Sequence, residues 1–198
     1  ILDQTIPNMY VKNYSSVPGS RDVVEFAVKI PSSDDSSKIT YLPIDSKFPM
    51  EDYRRVCEAA DNADPVALAS ARKALYDRVL SEAKTVKKYI NVPSTTPYAI
   101  MYLATEGLYA EITSANSDVL DRIQRENIMI AGPTTIIALL NTLSMGFKAV
   151  AINEKANEVR QLLSVTKVQY DKFGAVLEKA RKKIDEADKS LDEAQDRN

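Results

Sequence analysis

Residues 23–30 (VVEFAVKI) alternate apolar and polar side chains, with Phe26, Val28 and Ile30 on one face and Val23, Glu25, Ala27 and Lys29 on the other. A period of two is the signature of a β-strand. Residues 40–48 (TYLPIDSKF) repeat it, with Leu42, Ile44, Ser46 and Phe48 opposing Tyr41, Pro43, Asp45 and Lys47. The polar run SSDDSSK between them predicts a hairpin loop. Helices are predicted over 50–60 and 65–89, the second with Asp64 as its cap and Pro65 in its first position. Residues 98–104 (YAIMYLA) and 128–131 (IMIA) are continuously apolar, which predicts strands covered on both faces. The stretches 107–115, 118–126 and 134 onward read as helices.

Beyond residue 150 the pattern changes to a single repeat. Steps of four and three from Ile152 reach Ala156, Val159, Leu163, Thr166, Tyr170, Phe173, Leu177, Ala180, Ile184, Ala187, Leu191 and Ala194, and only Thr166 interrupts the apolar seam. A 3.5-residue repeat sustained over about six heptads predicts a coiled coil or a long helical hairpin. Residues 1–150 thus read as a layered α/β domain and 151–198 as a coiled-coil arm. The arm would pair with a second copy or fold back within the chain through 152–194. Its KARKK run (179–183) is followed at once by Asp185, Glu186 and Asp188, which favours a solvated helix face over a nucleic-acid contact.

The 198 residues contain no histidine and one cysteine, with 26 Lys+Arg against 28 Asp+Glu. Without histidine there is no Ser-His-Asp or Cys-His nucleophile pair and no imidazole metal ligand. Chemistry must run on carboxylates and lysine, with or without a hard metal ion. The lone Cys57 forms no internal disulfide, which favours a reducing, cytoplasmic setting, and reads as a half-buried small hydrophobe. A net charge of −2 leaves any DNA contact to a local patch. No apolar run is expected to reach the roughly 18 residues that span a bilayer. Starting at Ile1 without a leader, the chain reads as a piece whose targeting signals lie elsewhere.

Symmetric pairing about the centre of the SSDDSSK loop, near Asp35, places residues whose numbers add to about 70 opposite one another. Glu25 and Asp45 meet that condition on matching faces, and Lys47 follows on the Asp45 face, roughly 6.5 Å along the strand. Opposed carboxylates repel. A divalent cation between them resolves the repulsion, and a lysine beside it can orient water or stabilise phosphoryl charge. Alternatively both acids are polar residues of a solvent-facing sheet, paired with Lys29 and Lys47.

The segments VEFAVKIP, PIDSKFPMEDY, TTPYAIMYLATEGLYAE, IMIAGPTTIIALLNTLSMGF and YDKFGAVLEKARKKIDEA run collinearly over nearly the whole chain. Together they resemble the RmuC family of DNA recombination proteins. The resemblance implies a restriction-endonuclease-like mixed sheet flanked by helices, of the PD-(D/E)xK nuclease superfamily. It makes Glu25, Asp45 and Lys47 the catalytic set, Glu25 and Asp45 the ligands of Mg²⁺ or Mn²⁺, and DNA the partner. Val24-Glu25 stands where many relatives have Pro-Asp, and Ala104 where they have Pro. Relatives carry a Trp-Gly-Glu helix upstream of the residues that begin this chain, so the piece is expected to lack one acid and to be inactive alone. The resemblance also implies an N-terminal membrane anchor and coiled coil outside this chain. The alternative function is a non-catalytic DNA- or protein-binding scaffold that keeps the fold and assembles through its arm.

Other positions carry two readings each. Thr134 and Thr135 open a helix after a strand and suit either a phosphate or simple capping. Lys87 and Lys88, with Lys84, are DNA-backbone contacts or a solvated helix end. Glu106 is an auxiliary acid or a first-turn carboxylate complementing the helix dipole. Tyr102 and Tyr109 read as core or rim aromatics.

Overall fold

The computed structural model describes residues 1–31, 39–114 and 117–195, with 117 and 190–195 described by backbone alone. The predicted hairpin loop at 32–38 and the last two seam positions, Leu191 and Ala194, lie outside the described residues or side chains. The chain falls into two compact units, Ile1–Phe147 and Lys148–Asn198.

The first unit is built on one mixed sheet of five strands in the order β1-β2-β3-β4-β5. These are β1 (Tyr10–Tyr14), β2 (Val24–Pro31), β3 (Ile39–Lys47), β4 (Ala99–Leu103) and β5 (Ile128–Ala131). β1, β2 and β3 form an antiparallel meander, and β4 and β5 add in parallel. The observed β2–β3 partners run from Phe26↔Ile44 to Pro31↔Ile39, so their numbers add to 70, the register that the loop symmetry implies.

Helices cover both faces. On one lie α2 (Met50–Asp61), α3 (Pro65–Lys87), α4 (Glu106–Ser114) and α5 (Ser117–Arg125), whose Val56, Leu75, Val79, Ala83, Leu108 and Ile123 close over Ala99, Met101 and Leu103 of β4. The other face carries the short α1 (Leu2–Thr5) and the first turns of α6 (Pro133–Gln195). There Ile6, Ile136 and Leu140 pack against Val28, Leu42, Ile44 and Ile100. The period-two alternation of β2 and β3 thus separates two cores, while β4, covered on both sides, is apolar throughout.

α3 starts where its cap dictates. The Asp64 carboxylate accepts the N–H groups of Val66 at 3.0 Å and Ala67 at 2.9 Å, and Pro65 has no N–H to satisfy. β5 departs from the prediction of two covered faces: it is the last strand of the sheet, and Met129 is 48% exposed. α1 and β1 are additional to the predicted elements.

The second unit holds the continuation of α6 through Gln195, and every side chain from 151 to 189 is exposed. Ile152, Val159, Leu163, Tyr170, Phe173, Leu177 and Ile184 of the predicted seam therefore meet no partner among the described residues. The long helix bears on the expectation that no apolar run is long enough to span a bilayer. Within the helix Pro133–Lys189, an 18-residue window reaches a mean hydropathy of 1.6 with no more than two charges, so by length and composition this helix is apolar enough to cross a membrane. Asn141, Thr142, Ser144 and Gly146 break any continuous apolar run, but the neighbouring Ile, Leu, Met and Phe carry the average past them.

Candidate functional site

The carboxyl end of β3 places Asp45 and Lys47 on the face covered by α3. Asp45 pairs with Met101 and Lys47 with Leu103 of the parallel strand β4, and Asp45 is buried, with 3% of its surface exposed. A buried carboxylate needs a compensating charge. Lys47 supplies it: its Nζ lies 2.6 Å from Asp45 Oδ2. The approach is outside hydrogen-bond geometry, so the contact is an ion pair, and Oδ2 accepts no aligned donor among the described residues.

Lys47 has a second acidic neighbour. Glu82 of α3 brings Oε2 to 3.9 Å from Nζ, while Arg78 Nε holds Glu82 Oε1 at 3.2 Å. Burial pulls the Lys47 ammonium down, but the Asp45 carboxylate, with smaller contributions from Glu82 and Tyr89, outweighs it and leaves the pKa above that of an ordinary lysine. Tyr89, just beyond α3, reports the same charges. Burial raises its hydroxyl pKa, Asp45 raises it further, Lys47 opposes, and Asp22 and Glu25 add to the rise.

Continuing the β2–β3 register by one residue from Phe26↔Ile44 brings Glu25 opposite Asp45. Glu25 is exposed and makes no hydrogen bond or ion pair with the described residues. It also borders a cavity of about 370 Å³ on the other side of the sheet, lined by Tyr10, Phe26, Ile44, Tyr102 and Leu140, so its carboxylate is not committed to Asp45. Among the described residues no group of three or more Asp, Glu, Cys or His side chains is gathered closely enough to hold a metal. The site therefore pairs Asp45 with Lys47, leaves Glu25 at the next register position without a contact to either among the described residues, and adds Glu82 and Tyr89. No local signal marks these two, because only the return of α3 over β3 brings them there.

The remaining candidates sit elsewhere. Glu106, in the first turn of α4, accepts the Thr134 N–H at 2.5 Å and thereby caps α6. Hydrogen bonds from Thr134, by side chain and then backbone, hold its carboxyl below the usual range. Thr135 Oγ1 accepts the Gly132 N–H at 2.7 Å. The first amides of α6 that would meet a phosphate are thus engaged within the chain. Gly132 permits this join, since a Cβ there would lie 2.8 Å from Tyr109 Cγ and 3.1 Å from Glu106 Oε2.

Lys87 is paired with Glu126 of the α5 end at 2.6 Å, which lowers that carboxyl, and Lys88 is exposed. Tyr102 and Tyr109 pack against the two cores, one on each face. Glu111 is a clamp between helices: Arg72 donates to both its oxygens at 2.7 and 3.2 Å, and the Tyr76 hydroxyl donates at 3.0 Å.

The chain is similar along its length to known proteins. A protein of Xylella fastidiosa (strain Temecula1 / ATCC 700964) called "DNA recombination protein RmuC homolog" is 42% identical over 197 residues, which is 98% of this chain and 43% of that protein. The homologue of strain 9a5c shows the same identity and coverage. A protein of the same name from Neisseria meningitidis (serogroup A / serotype 4A, strain DSM 15465 / Z2491) is 28% identical over 159 residues, 77% of this chain and 26% of its own length. The chain therefore spans less than half the length of these relatives. No solved structure matches it. The blocks PIDSKFP, TEGLYAE and AGPTT, which furnish Asp45, Lys47, Glu106 and Thr134, fall inside the 4–198 stretch that fits the RmuC family model, and the chain belongs to the RmuC family.

Proposed function

We propose that this chain carries the core of a metal-dependent nuclease site acting on DNA phosphodiesters, within a longer protein of DNA recombination. The observation that carries the reading is the buried Asp45: Lys47 stands 2.6 Å from its Oδ2, and Glu25, which has no partner among the described residues, follows in register across the hairpin. Carboxylate oxygens suit a hard cation such as Mg²⁺ or Mn²⁺, which is commonly held by one or two carboxylates and keeps several waters. Glu25 and Asp45 would hold it, and the metal would supply Lewis-acid activation of water and charge neutralisation at the phosphate.

The residues of the chain have their own parts in this reading. Asp45, fixed by the β3–β4 pairing, sets the position of the site. Lys47 stays charged because Asp45 and Glu82 flank it, and offers that charge to the phosphoryl oxygens. Glu82 is a positioning residue that keeps Lys47 over Asp45. The family resemblance implies a further carboxylate on a Trp-Gly-Glu helix preceding Ile1.

Calorimetric titration of Mn²⁺ into wild type and Asp45→Ala, with the upstream segment present, tests the reading. Saturable binding lost in the variant, together with Mn²⁺-dependent cleavage of a DNA substrate, supports it. No binding in either protein overturns it.

A second reading, a non-catalytic DNA- or protein-binding module, draws on the absence of a three-ligand group among the described residues. DNA binding without cleavage under any divalent cation, by protein including the upstream segment, would favour it.

A further inference from the structure

In the heptad repeat of 152–189, Ala156, Leu163, Tyr170, Leu177 and Ile184 take the a positions, and Ile152, Val159, Thr166, Phe173, Ala180 and Ala187 the d positions. All are exposed. The e and g positions beside a seam set partner choice in coiled coils. Here they hold five cations, Lys155, Arg160, Lys167, Arg181 and Lys183, against one acid, Asp188. The acids Glu154, Glu158, Asp171, Glu178 and Asp185 stand on the outer positions, which they share with Lys172, Lys179, Lys182 and Lys189. The seam is an apolar strip with basic borders.

We propose that this seam docks an amphipathic helix of another protein whose own apolar stripe is bordered by acids. A second copy of this chain fits less well. Parallel and in register it sets Lys155 against Arg160, with Lys183 against Asp188 as its one favourable pair, and antiparallel about Tyr170 and Phe173 it sets Arg160 against Arg181. Like charges across such positions repel, whereas an acid-bordered helix opposes all five cations. An anionic lipid surface would attract the same cations, but it is flat. A 3.5-residue stripe drifts by ~20° per heptad on a straight helix, so over five heptads the seam turns about 100° away from any plane. Only a partner that supercoils with the helix can follow it.

The test uses the whole chain and three probes. Two are labelled five-heptad peptides with leucine at a and d, bordered by glutamate in one and lysine in the other. The third is phosphatidylglycerol vesicles. Fluorescence anisotropy at low salt is expected to show the glutamate-bordered peptide binding at least tenfold more tightly than the lysine-bordered one, with the gap closing in 1 M salt. Leu163→Glu should abolish binding. The triple change Arg160→Glu, Lys167→Glu and Arg181→Glu should invert the preference while leaving the apolar seam intact. Sedimentation of the chain alone as a dimer that Leu163→Glu dissociates, binding to vesicles but to neither peptide, equal binding of both peptides, or no binding at all would each overturn the proposal.

Discussion

Lys47 and Asp45, two residues apart on β3, form an ion pair of 2.6 Å whose two ends are unequally buried: 4% of the Asp45 side chain is exposed against 21% of Lys47. Removing either end therefore has different consequences. Lys47→Ala leaves a buried carboxylate without its cation and is expected to cost about 3 kcal/mol. Asp45→Ala leaves an ammonium that reaches solvent and retains Glu82 at 3.9 Å, and should cost roughly half as much. Urea denaturation of the two variants measures the difference, and equal losses would refute the asymmetry.

Glu106 gives the first unit an acid-sensitive join. Its folded carboxyl lies below the ordinary value because Thr134 hydrogen-bonds the charged form. That contribution is complete above the ordinary glutamate pKa of about 4.3 and is lost as pH falls through the lowered folded value. Glu106→Gln should melt below wild type at pH 7, and the gap should vanish in acid. A gap independent of pH would show that the charge is not what holds α6.

The same join makes Gly132 intolerant of a side chain. A Cβ would meet Tyr109 at its Cβ and Cγ, at 2.9 and 2.8 Å, and the root of a packed ring has little room to yield. Gly132→Ala should cost about 1–3 kcal/mol. At Gly107 the added carbon would meet first the hydroxyl tip of Tyr53, which can swing aside, so Gly107→Ala should cost less. Thermal melts in which the order is reversed would contradict this packing account.

In the second unit Gly174 occupies an exposed helix position with nothing within 4 Å of a Cβ. Gly174→Ala should stabilise the helix by ~1 kcal/mol. Far-ultraviolet circular dichroism should show higher helicity and a later melt. No change would mean that the helix does not fray at this point.

What could be read in advance followed from periodicity. The two alternating strands, their register, the apolar β4 and the Asp64 cap are local patterns, and each stands where its pattern places it. β1 escapes because YVKNY is a short run at the border of the sheet with two exposed polar side chains, and little apolar burial is required of it. Glu82 is one of two acids on a helix of 23 residues, and its proximity to Lys47 arises from a reversal of the chain that no local spacing encodes. Thr134 and Glu106 looked like separate sites because 28 residues divide them, yet the sheet brings them within one hydrogen bond.

The mixed sheet also implies an order of assembly. Glu25 and Asp45 belong to an antiparallel meander whose strands are near neighbours along the chain, so they can meet through a short loop closure. β4 joins β3 only after α2 and α3 have been threaded between them, a connection of more than 50 residues, and such long-range parallel pairing is slow. The acidic pair is therefore in place while still open to water. Asp45 gains its cover of Glu82 and Tyr89 only with the later event, whereas Glu25 stays open to water in the finished fold.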